Sequence, residues 1–194
     1  MNERYAVAIA AIDAANADDP TRIVVRGVEH ALAQAHGILA AEWVGTLHPN
    51  ADETWSLAAR AHHLKRWELP RSSYETGRAG YLTWKRDQRR RHADDAGALL
   101  AAIGYDAATI ERVQSLVRRD HLATDPGSQA IEDAACLAFV ETQLAEVATK
   151  LDRTHLIDVL RKTAKKMSPE AAAAIARIPL GDAERSLLDE ALGR

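Results

Sequence analysis

The stretch Leu57–Arg71, LAARAHHLKRWELPR, sets the reading of the whole chain. Its small and apolar residues recur at helical spacing, two adjacent histidines (His62 and His63) sit inside that pattern, and Pro70 ends it. Arg60, Lys65, Arg66, Arg71 and Trp67 crowd the same stretch. Upstream, the turn HPNAD (48–52) places Asp52 as an N-cap, so the sequence predicts a helix carrying both imidazoles. On such a helix His62 lies over Ala58, Ala59 and Arg66, and His63 over Ala59, Arg60 and Trp67. Adjacent side chains on a helix point about 100° apart, so one imidazole is expected to serve a site directly and the other to support it.

Working outward, the same periodicity continues on both sides. Tyr5, Ala8, Ile9 and Ile12 form one apolar face of a first helix, about Glu3–Ala15. NADDP (16–20) breaks the chain, and Thr21 caps a predicted second helix running to about Leu47. Gly27 and Gly37 interrupt that helix; Gly37 directly follows His36 and suits a close approach or a bend there. RIVVR (22–26) is the one short strand candidate. After a loop at 71–80, a helix is predicted from about Ala79 to Ile103, with Gly104 as its C-terminal glycine. Its basic run KRDQRRRH (85–92) reads first as a solvated face, His92 included. Helices follow at about 107–119 and 129–151, then from a Thr154 cap to Lys166, from Ser168-Pro169 to about Ile178, and at 183–192. The expected fold is all-α: a compact single helical domain over 1–194, with 154–194 as a C-terminal helical appendage.

Bulk composition narrows the classes. The chain has 194 residues, 47% hydrophobic and 27% charged, with a net charge of −3, which is globular and disfavours a dedicated nucleic-acid binder. A single cysteine, Cys136, excludes an internal disulfide and a cysteine-based zinc cluster, and reads as a small buried hydrophobe. No apolar run reaches the length of a membrane span, and the N-terminus lacks signal-peptide features, so the expected location is cytoplasmic with no membrane partner.

A second stretch, QAIEDAACLAFVE (129–141), is apolar nearly all round and yet holds Glu132 and Asp133. A buried carboxylate must be paired, hydrogen-bonded or bound to a metal. Two readings are open: a salt bridge or cap that supports the fold, or half of a polar site whose other half is the histidine pair. In the second, His36, one or both of His62 and His63, and Asp133 hold a metal, while His63 and Glu132 are the catalytic candidates. Arg60, Arg66, Arg71 and Arg78 suit a phosphate, sulfate or carboxylate. The aromatics flanking 68–80 (Trp67, Tyr74, Tyr81 and Trp84) read chiefly as core anchors.

One histidine on each early helix plus a late aspartate is similar to the HD superfamily of helical metal-dependent phosphohydrolases, although the adjacent pair here is His-His with no aspartate following. More closely, LAARAHHLKRWELPR, RAGYLTWKRDQRRRHA, IEDAACLAFVE and HLIDVLRKTAKKMSPEA, in this order, resemble the bacterial and fungal domain-of-unknown-function family 4202 over about Ala6–Leu192. That resemblance implies glutamine at the position of His62 and histidine at that of His63, with polar positions at Arg66, Trp67, Arg71, Glu132 and Asp133. It implies no reaction.

The functional expectation is an HD-like helical core with a His/Asp/Arg pocket for a small anionic ligand. A divalent metal (Mn, Fe, Co, Ni or Zn) would assist hydrolysis of a small phosphorylated metabolite or nucleotide. Alternatives stand beside it: a non-catalytic binding or interaction protein in which the same groups form a structural network, an HD-type di-iron oxygenase, or RNA contact through Lys85–Arg91. The RNA reading is the weakest, because the basic run lacks interleaved aromatics.

Overall fold

The computed structural model describes residues 3–193, and they form an all-α fold with one small hairpin. Helix α1 (Glu3–Ala17) buries Ala8 and Ile12, the face its periodicity predicts. The predicted helix from Thr21 does not form. Arg22–Val25 (β1) and Val28–Ala31 (β2) pair antiparallel, and α2 begins only at Leu32 and runs to Leu47. Three valines favour the pleated conformation, and Arg26 and Gly27 both take positive φ (50° and 82°), as a two-residue hairpin loop requires. The N-terminus of α2 is instead satisfied by buried Asp19, whose carboxylate accepts from Thr21 N and Ala33 N, both at 2.9 Å.

Helix α3 (Glu53–Ala61) starts at Asp52, which accepts from Thr54 N at 2.8 Å. It crosses α2 closely: a Cβ on Gly37 would lie 2.5 Å from the backbone oxygen of Arg60, so only glycine permits this approach. Helix α4 (Gly77–Ile103) ends at Gly104 in the left-handed region, and α5 (Ala107–Arg118) packs back on it. Helix α6 (Pro126–Lys150) lies centrally against α2, α3, α5, α7 (Arg153–Ala164), α8 (Pro169–Ala174) and α9 (Asp182–Leu192). Asp152, rather than Thr154, caps α7, accepting from His155 N; Ser168 caps α8 as expected.

Leu57, Leu64, Leu100, Leu116, Ile131, Leu137 and Leu144 are fully buried, each contributing roughly 1.5–3 kcal/mol relative to exposure. The apolar core continues through Leu156, Ile157 and Leu188 of the C-terminal helices. No helix among the described residues is long and apolar enough to cross a membrane.

Candidate functional site

The histidine pair does not ride on a helix. Helix α3 stops at Ala61, the chain tightens (Leu64 N donates to Ala61 O), and Lys65 adopts a left-handed conformation, φ 51°. Buried Asn16 holds that reversal by accepting from Lys65 N at 2.9 Å. The carbonyls freed by the break are satisfied by one row of α4: Trp84 and Gln88 donate to Leu69 O, Gln88 also to Arg66 O, Arg91 to Lys65 O, and His92 Nδ1 to Leu64 O. Trp84, Gln88, Arg91 and His92 fall on a single helical face, so the basic run predicted as a solvated surface also builds the site.

The expected 100° divergence of His62 and His63 is therefore corrected. Their ring centroids are 4.1 Å apart, and both turn into a cleft of about 320 Å³ between α2, the 62–69 turn, α4 and α6. His36 reaches the same place from α2, its ring centroid 5.1 Å from that of His63 and 6.4 Å from that of His62. His36, His62 and His63 each offer a ligand atom, and these atoms all lie within 4.8 Å of one another, so the three are positioned to hold a metal ion. The Nδ1 atoms of His36 and His63 are 2.9 Å apart.

The hydrogen bonds assign the tautomers. Thr142 Oγ1 donates to Ala138 O at 2.6 Å, so toward His36 it accepts, and His36 Nε2–H is the donor at 2.9 Å. That leaves the lone pair of His36 on Nδ1, which accepts from His63 Nδ1–H at 2.9 Å and leaves the His63 lone pair on Nε2. His62 Nδ1–H donates to Ala59 O at 2.7 Å, leaving a lone pair on Nε2. A second nitrogen bonded to a carbonyl or hydroxyl is the usual support of a metal-binding imidazole. Burial, and then the nearby Arg66 charge, lowers the His36 pKa to about 4. Burial also holds His62 and His63 well below the usual imidazole value, helped by Arg119 at His62 and by the neighbouring imidazoles and Arg66 at His63. All three are neutral at pH 7, the form that ligates.

Three buried acceptors on cleft residues have no hydrogen-bond partner among the described residues: His62 Nε2, His92 Nε2 and Gln88 Oε1. An unpaired buried polar atom costs about 1–3 kcal/mol. Three such acceptors on residues that line one cleft suit a cation or a donor-bearing ligand.

The same cleft is strongly basic. Arg66, Lys85, Arg89, Arg119 and Lys166 line it with a single carboxylate, Glu132. Arg66 lies flat over Trp84 at 4.7 Å, which fixes its guanidinium. Glu132 is buried; burial pushes its carboxyl pKa up, but Arg119, Arg89, Lys166 and Lys85 outweigh this and hold it below the ordinary value. It accepts from Arg89 at 2.9 Å and lies 3.4 Å from Arg119 Nε and 3.9 Å from Lys166 Nζ. Burial, with Lys166 and Arg89 beside it, lowers Lys85 to about 8. Cys136 borders the cleft, but burial raises its thiol to about 12, so it stays protonated.

Of the predicted site residues, His36, His62, His63, Arg66 and Glu132 meet in this cleft. Asp133 does not join the imidazoles: it accepts from Gln129 Nε2 at 2.8 Å and from Ser168 N at 2.9 Å, tying α6 to the start of α8. Arg60 binds Asp13 with two bonds of 2.5 Å, Arg71 clamps the carbonyls of Tyr74, Glu75 and Gly77, and Arg78 is exposed outside the cleft. Sequence reasoning missed His92, Arg119, Lys166 and Thr142. The one signal for His92 was its place one turn after Gln88, on the buried side of a basic helix.

A family model described as a domain of unknown function (DUF4202) matches residues 6–188. No curated protein and no solved structure matches the chain. With nearly its whole length covered by one model, the chain belongs to the DUF4202 family.

Proposed function

We propose that the cleft binds a divalent transition metal through His36, His62 and His63, and that the protein hydrolyses a small phosphorylated metabolite or nucleotide there. One observation carries this: three neutral imidazoles with ligand atoms within 4.8 Å of one another share one cleft with five cations and one carboxylate. Neutral imidazole suits Zn, Fe and Ni among the candidate ions. When bound, such an ion supplies Lewis acidity, lowering the pKa of water and polarising a phosphoryl oxygen. The chain's own part is positioning. Arg66, fixed on Trp84, and Lys85 receive the anion; Arg119 and Arg89 are aimed by Glu132, which acts as their anchor rather than as an acid. His92 Nε2 is a fixed acceptor for a ligand hydroxyl or water. With Asp133 occupied elsewhere, the reading is a single-metal site rather than the two-metal arrangement of an HD-type enzyme.

The test is metal analysis of protein purified without a histidine tag, with phosphate release measured on a panel of phosphomonoesters and nucleotides. About one ion per chain, lost in His63→Ala while the fold persists by circular dichroism, supports the reading. No ion and no affinity on titration with Mn, Fe, Co, Ni and Zn overturns it. One observation favours a binding-only role: the four cleft imidazoles, with pKa values far below 7, are poor proton carriers. Stoichiometric metal with no turnover across the panel would select that role.

A further inference from the structure

The cleft adjoins a second concavity, with which it shares lining residues. A groove of about 390 Å³ on the outer side of α4 is lined by Lys85, Arg86, Arg89, Arg90, Arg118 and Asp120, with Leu82 at its edge. Lys85 and Arg89 line both spaces, so they form a shared ridge one helical turn long, about 6 Å. Cations outnumber carboxylates in the groove as they do in the cleft, although the chain as a whole is net negative. Arg118 is already occupied, paired with Glu111 and Asp120; Arg86 meets Asp87 through Nε at 2.9 Å, an exposed pair of little strength with which a phosphate can compete. Arg90, exposed on α4, and Lys85 carry no ion pair among the described residues. Lys85 is lowered to about 8 by burial and by the cations next to it, a condition that an incoming anion relieves. Tyr81 lines the cleft and Leu82 the groove, 45% and 52% exposed, so each space has an exposed apolar group beside the ridge.

We infer that the ligand carries two separated phosphate groups on one small organic scaffold, one phosphate held in the cleft by Arg66 and Lys85, the other in the groove by Arg86 and Arg90. This rests on the anion-binding half of the function proposed above, not on its metal or its turnover. A ligand with a single phosphate engages only one of the two basic spaces, so the second phosphate adds charge-assisted contacts without displacing the first. The flat organic part then lies over the ridge, against Tyr81 and Leu82.

Calorimetric binding of AMP and of adenosine 3′,5′-bisphosphate to the full, metal-free chain tests this, because no metal and no reaction is involved. The bisphosphate is expected to bind at least ten-fold more tightly than AMP. In Arg86→Gln/Arg90→Gln, two exposed positions, the advantage of the bisphosphate over AMP falls to about two-fold. Equal affinity of the two nucleotides for the wild-type chain, or an advantage that survives the double substitution, overturns the inference. A metal-free chain that keeps the ten-fold advantage and yet shows no metal affinity would sink the hydrolase reading alone.

Discussion

Thr142→Val exchanges a hydroxyl for a methyl at nearly constant volume, at the one group that fixes the tautomer of His36. In the wild type, Thr142 Oγ1 gives its hydrogen to Ala138 O and accepts from His36 Nε2–H, which places the lone pair on Nδ1 toward His63. Valine accepts nothing. The buried Nε2–H is then unpaired, at about 1–3 kcal/mol, or the proton moves to Nδ1 and blocks the ligand position. For a chain of this size each kcal/mol lowers Tm by about 2–4 °C. Loss of such an outer partner typically weakens metal affinity about 10–100-fold. The assay is a competition titration with zinc alongside thermal unfolding, with Thr142→Ser as the control that keeps the hydroxyl. Valine should lose at least ten-fold in affinity and serine less than three-fold. Zinc affinity within two-fold of wild type in the valine variant would refute the tautomer argument and, with it, His36 Nδ1 as a ligand.

Three further outcomes follow from the same geometry. Asp133→Ala leaves Ser168 N–H without its acceptor and should destabilise the fold by about 1–3 kcal/mol with metal affinity unchanged; Asp133→Asn keeps an acceptor oxygen and should lose less. Metal loss at intact stability in denaturant titrations would return Asp133 to the site. Gly37→Ala drives a methyl to 2.5 Å from the Arg60 carbonyl, so α2 and α3 must part, costing about 1–3 kcal/mol against the gain of roughly 1 kcal/mol in helix propensity, and His36 moves away from His62 and His63. A more stable variant with normal metal affinity would contradict that packing. In chelator-treated protein, stability should fall as pH drops below about 6.5. The imidazoles charge in the unfolded chain first, while His36 resists to about 4 and His92 to about 3, because burial lowers both; each histidine adds up to about 1.4 kcal/mol per pH unit of slope. Their stabilising contribution is therefore full above 6.5 and lost toward the folded values. A Tm constant from pH 7 to 4.5 would show that the imidazoles are not held neutral.

Local signals carried the helices well where the physical cause is local. Asp52, Ser168-Pro169 and Gly104 mark helix ends by their own hydrogen bonds or backbone freedom, and each does so in the structure. The apolar circumference of 129–141 correctly marked a buried helix, with both carboxylates inside. Elsewhere the same reasoning ran into competing local preferences. At 21–31 the helical periodicity lost to β-branched valines and a turn of two positive φ values. At Ala61 nothing in LAARAHHLKRW announced the stop, because the reversal at Lys65 is held by Asn16 from α1 and by side chains of α4.

By itself the chain determined the all-helical class and the central buried helix, which follow from residue type and periodicity; four ordered motifs carried the resemblance to the family, and the sequence also singled out His36, His62, His63, Arg66 and Glu132, which line one cleft. Only the tertiary structure decided which polar groups meet. Whether a carboxylate or guanidinium faces a cleft or ties two helices together depends on the partner that arrives from a distant segment: Ser168 for Asp133, Asp13 for Arg60, and the cleft itself for His92 and Arg119. That choice is made by helix packing, in which one glycine at position 37 and one broken helix after Ala61 bring the three imidazoles into a single cluster.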